Sequence, residues 1–125
     1  MKLEYLSVGA RECPLIRLYE FDQSEARLLR QLVKSLVTGD HQDVALQNEM
    51  WVEPVAGCCL NLRLGTRNQG VREVQPLRFE WVLSPDDWNN VEGLLEPFSE
   101  SDTSGFQWLT NHGRVALLIS RDGHW

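Results

Sequence analysis

Residues 77–88 read Leu-Arg-Phe-Glu-Trp-Val-Leu-Ser-Pro-Asp-Asp-Trp, and the period of the apolar positions changes inside this stretch. Leu77, Phe79, Trp81 and Leu83 alternate with Arg78, Glu80 and Val82, the two-residue period of a half-buried strand. At Ser84 the alternation stops. A serine cap, a proline suited to the first helical position, and Asp86 and Asp87 at the positive end of the dipole all open a helix. Trp88, Val91, Leu94, Leu95 and Phe98 supply its buried face, and Pro97 is expected to end it.

The same handover from strand to helix occurs upstream. Residues 15–21 read as a strand, and Asp22 with Glu25 three residues on forms a capping box. Leu28, Leu29, Leu32, Val33, Leu36 and Val37 make an apolar stripe, and Gly39 is the natural stop. Cys58, Leu60, Leu62 and Leu64 alternate with Cys59, Asn61, Arg63 and Gly65 as a further strand. Turn residues at 65–70 predict that this strand and 77–83 form an antiparallel hairpin. A second hairpin is expected from 106–110 and 114–120 around Asn111, His112 and Gly113. Residues 51–55, pushed towards an edge by Pro54, and residues 2–6 complete the strands.

The expected fold is therefore α+β: an antiparallel sheet of about six to seven strands with two helices packed on one face. The order strand, helix, strand, strand over 15–64 recurs over 77–120, which suggests two β-α-β-β halves. A length of 125 residues fits one domain spanning 1–125. In predicted topology alone, helix, three strands, helix, two strands is similar to class I type III secretion chaperones. The chain lacks their final helix and carries extra N-terminal strands.

Composition excludes several classes of function. The net charge of −6 repels a nucleic-acid backbone and an anionic membrane surface. No stretch approaches the ~20 apolar residues of a membrane span, and the N-terminus has no signal-like run, so a cytoplasmic location is expected. Cys13, Cys58 and Cys59 are an odd set and read as reduced thiols.

No catalytic constellation stands out. There is no nucleophile elbow, and Cys58 has no histidine at a telling spacing from His41, His112 or His124. Asp40, His41 and Asp43 read as a solvated loop, and no metal or cofactor is expected. Both helices open on carboxylates, which disfavours a phosphate cradle.

Charge, however, is unevenly spread. Residues 1–78 balance ten acids against ten bases, whereas residues 79–113 hold seven acids and no lysine or arginine. Asp86, Glu92, Glu96, Glu100 and Asp102 are the candidate partner-binding residues, an acidic face for a basic protein partner. Arg63, Arg67, Arg72 and Arg78 gather around the first hairpin, so association of two copies is an alternative. The expected function is a non-enzymatic protein-binding module of adaptor, chaperone or immunity type. The alternative is a small-ligand-binding domain or modest enzyme, with Arg78, Glu80, Trp81 and Trp108 lining a pocket on the sheet or between the halves.

Overall fold

The computed structural model describes residues 1–102, 104–110 and 113–125. In chain order the strands and helices are β1 (Lys2–Leu6), β2 (Leu15–Tyr19), α1 (Gln23–Thr38), β3 (Asp43–Ala45), β4 (Glu53–Pro54), β5 (Cys59–Leu64), β6 (Gly70–Gln75), β7 (Arg78–Leu83), α2 (Pro85–Glu100), β8 (Phe106–Thr110) and β9 (Ala116–Ser120). They form two mixed sheets, ordered β4-β1-β2-β9-β8 and β3-β5-β7-β6.

The expected single antiparallel sheet is thus replaced by two, and the expected hairpin of 58–64 with 77–83 is replaced by a parallel pair. β5 and β7 run side by side from Cys59↔Arg78 to Leu64↔Leu83, and the antiparallel partner of β7 is β6. The region read as a turn contains that extra strand. Only two residues of 51–55, Glu53 and Pro54, pair as a strand, at the edge beside β1. Five strands, not three, separate α1 from α2, so the topological likeness to secretion chaperones falls away.

The pairing repeats about a two-fold pattern. β1-β2-α1-β3-β5 matches β6-β7-α2-β8-β9, and each half lends its last two strands to the sheet begun by the other. Ile16↔Leu117 and Leu18↔Ile119 in the larger sheet correspond to Phe79↔Leu60 and Trp81↔Leu62 in the smaller. All eight are in one hydrophobic core with Leu29, Val33, Leu36, Trp88, Val91, Leu95 and Phe98 of the helices. The repeated unit therefore begins one strand earlier than a β-α-β-β reading allows.

Both helix starts follow the sequence. Asp22 and Glu25 form the reciprocal capping box of α1, and Gly39 closes it with φ of 80°. Ser84 caps α2 through the amide of Asp87. Pro97 does not end α2, which runs one turn further to Glu100. That turn is held from outside: the Ser99 carbonyl accepts from Gln23 Nε2 and Arg27 Nε, and its buried hydroxyl accepts from Arg30 Nη1. Partners on α1 thus satisfy a carbonyl of the last turn, which a helix end leaves without an intrahelical donor. The turn of the expected second hairpin includes Asn111 and His112, outside the described residues; its strands pair as β8 and β9.

Candidate functional site

The acidic stripe of α2 lies against α1. Arg30 contacts Glu92 at 2.5 Å, Glu100 at 3.1 Å and Glu96 at 3.5 Å. Glu92 is the best buried of the three, while Glu96 and Glu100 stay mostly exposed. One guanidinium therefore faces three carboxylates, which weakens the field of the stripe without cancelling it. Asp102 sits 3.7 Å from Arg121, and Asp86 is exposed on the first turn of α2.

On the other side of α2 is a groove of about 390 Å³. One wall is the helix, through Asp87, Asn90, Val91 and Leu94. These positions are spaced i, i+3, i+4 and i+7, a single stripe roughly half a turn round from Glu92 and Glu96. The opposite wall is β8, through Gln107, Trp108, Leu109 and Thr110. Successive residues of a strand point to opposite faces. A cavity lined by four in a row therefore runs along the backbone edge of the strand.

β8 is a terminal strand of its sheet, so that edge has no strand partner. Phe106 to Trp108 pair in register with β9, and the register slips between Trp108 and Thr110. Trp81 and Leu83 of β7 also line the groove, and Asn68 closes one end. Gly65 allows the loop bearing Asn68 to turn closely over β7, since a Cβ there would meet Val82 Cγ1 at 2.6 Å. Trp81 is 2% exposed, and its Nε1 is the one buried side-chain polar atom without a hydrogen-bond partner among the described residues. An orphaned buried donor costs about 1–3 kcal/mol, so it needs a reason. The neighbouring Trp88, edge-on to it at 4.7 Å, places its own Nε1 on the Arg63 carbonyl.

Of the four residues expected to share a pocket, the structure brings Trp81 and Trp108 together in this groove. Arg78 and Glu80 lie elsewhere, on the outer face of the smaller sheet, where Glu80 pairs with Arg63 at 2.9 Å and Arg72 at 3.6 Å. A second cleft, of about 790 Å³, crosses the outer face of the larger sheet. Glu12, Arg17, Phe106, Trp108, His124 and Trp125 line it. Arg17 is engaged there by Glu4 at 2.6 Å, by the Gly123 carbonyl and by the Tyr19 ring.

No known protein family, curated protein or solved structure matches this chain.

Catalytic features are sparse. Cys58 is fully buried, and burial pushes its thiol up to about 12, which keeps it protonated and a poor nucleophile. Among the described residues no group of three or more His, Cys, Asp or Glu is placed to hold a metal ion. Among the described residues no helix is long and apolar enough to cross a membrane. The residues missed from sequence are Asn90, Gln107, Leu109 and Thr110. The 87/90/91/94 spacing was visible, but nothing local says that an edge strand stands opposite it.

Proposed function

We propose that the chain is a non-enzymatic protein-binding module whose contact region is the β8 side of α2. The observation that carries this is the state of the sheet edges. Edge strands are normally guarded by shortness, charge or proline, because an open edge invites pairing. β4 has two residues, one of them Pro54; β3 has three and carries Asp43; β6 carries Arg72 and Glu73. β8, with sequence Phe-Gln-Trp-Leu-Thr, has five residues, no charge and no proline; its guards are the register slip after Trp108 and the Gln107 amide on the Trp108 carbonyl, and Phe106 is 47% exposed. The exposed acids of α2 lie close by and favour encounter with a basic partner. A pull-down of the tagged protein at low and high salt, repeated with Asn90→Trp to plug the groove, tests the reading. Stoichiometric capture by the parent and loss with the plug are expected; equal capture by both overturns it.

The second reading is a small-ligand site in the outer cleft, favoured by three aromatic rings, Phe106, Trp108 and Trp125, around one cavity. A metabolite thermal-shift screen against the parent and Trp125→Ala tests it. A stabilising ligand that loses its effect with Trp125→Ala is expected; no stabilising ligand at all overturns it.

A further inference from the structure

We infer that the groove takes an extended peptide segment, which adds along β8 by displacing the Gln107 amide from the Trp108 carbonyl and seats a basic group on Asp87. This rests on the protein-binding reading above and specifies the partner.

The occupant follows from the walls. The cavity runs along the backbone of residues 107–110, so whatever fills it meets main-chain donors and acceptors as well as side chains. An extended chain satisfies such an edge by strand addition, and its alternate side chains fall to the two faces of the sheet. On the inner face they reach Val91, Leu94 and Leu109. On the outer face they stand beside Phe106 and Trp108, at the mouth of the outer cleft.

A second copy of this chain cannot bring its own β8 to the same place, because that strand is flanked by its own α2. The segment that suits the groove is an extended tail or linker, free on both sides.

Two groups specify its chemistry. Asp87 lines the groove, and its carboxylate accepts only from the Ser84 hydroxyl, with no cation on it among the described residues. Its counterpart at the third position of α1, Glu25, is met by an amino group, that of Met1, at 2.6 Å. A lysine, arginine or free amino group would pair with Asp87 directly, in addition to the helix dipole that it already faces. Trp81 Nε1 is the second: a backbone carbonyl or hydroxyl from the segment would give the buried indole its acceptor.

The test uses a phage-displayed library of random linear peptides, selected on the whole chain, with the best peptide synthesised and titrated by NMR. Expected are a recurrent basic residue flanked by alternating apolar positions, shifts of the backbone amides of 107–110, and a shift of the Trp81 indole N–H. Asn90→Trp should weaken binding at least about tenfold, and Asp87→Asn should weaken it and flatten its salt dependence. Trp81→Phe should lower affinity while leaving stability equal or higher, which a merely structural indole would not do. Peptides that shift only residues of the outer cleft overturn this inference but leave the protein-binding reading standing. A library that yields no binder, with a partner still captured from lysate and lost with Asn90→Trp, overturns the peptide alone. Concentration-dependent dimerisation abolished by Asn90→Trp makes the occupant a second copy and overturns it too.

Discussion

The two halves of the molecule share one plan and differ in one connection. Between β3 and β5 the chain spends residues 46–58; between β8 and β9 it spends only 111–115. The longer connection buries Leu46 and Val52, packs Trp51 against the core and lays β4 along β1. Among its described residues, 113–115, the shorter one makes a single bridge, Val115 to Val71, on the matching strand β6. The first half thus covers the outer edge of β1 with its own chain, and among the described residues the second covers the matching edge of β6 only at that bridge.

Matched positions sharpen this, because the residues that differ between halves lie where the halves meet. Counting from the two helix caps, Ala26 corresponds to Trp88 and Arg30 to Glu92. The outer faces show the same inversion: Glu4 opposite Arg17 in one sheet corresponds to Arg72 opposite Glu80 in the other. The largest effect is expected at Trp88, fully buried with its indole N–H bonded to Arg63. Trp88→Ala, which installs the residue of the first half, should cost about 3–5 kcal/mol by urea unfolding. A loss under about 1 kcal/mol would mean that the second half does not depend on this anchor.

Next in size is the contact between the helices. Arg30→Met removes the cation shared by Glu92, Glu96 and Glu100 and the hydrogen bond to Ser99, and should cost about 2 kcal/mol. Because Arg30 and Glu92 are matched positions facing each other, exchanging both, Arg30→Glu with Glu92→Arg, should recover part of what either reversal loses. A double variant as unstable as the sum of the two singles would show that the pair is not coupled.

Much of this was legible in the sequence where a signal is local. Both helices, their caps at Asp22 and Ser84, and the alternating strands β5 and β7 follow from periodicity and capping chemistry. β3 is too short to show a period, and in β6 four successive residues from Arg72 to Gln75 are exposed, so no alternation exists to be read. The parallel pairs β2 with β9 and β5 with β7 join strands with other elements between them, which no local pattern records. The site was half visible for the same reason: Trp81 and Trp108 were named, but their meeting depends on the exchange of strands between the halves. The acids of α2 were counted correctly, yet a count cannot say that Glu92 faces Arg30.

A smaller effect concerns Cys58, whose matched residue is Val115. Its folded thiol is raised by burial to about 12 from an ordinary value of 9.0. Above pH 9 the unfolded chain therefore releases a proton that the folded chain retains. Stability falls as pH rises between those two values, by at most about 1.4 kcal/mol per pH unit. Burial raises Tyr5 and Tyr19 as well, and these act in the same direction. Cys58→Val should change stability by less than about 1.5 kcal/mol at neutral pH and give a shallower alkaline decline. An unchanged alkaline slope would show that the thiol does not contribute to it. The half-buried Cys59 should be alkylated well before Cys58.

The smallest expected effect decides between the two sides of α2. Glu96 is 58% exposed and reaches Arg30 only at 3.5 Å, so Glu96→Lys should alter stability by no more than about 0.5 kcal/mol. If partners bound the acidic stripe directly, reversing this charge would speed their dissociation, because a contact would be lost. If they bind the groove on the opposite side of the helix, the reversal changes only the long-range field. Association with a basic partner then slows at low salt, the difference vanishes at high salt, and dissociation is untouched. Rate constants measured at two salt concentrations separate these cases, and a faster dissociation at both would return the binding surface to the stripe.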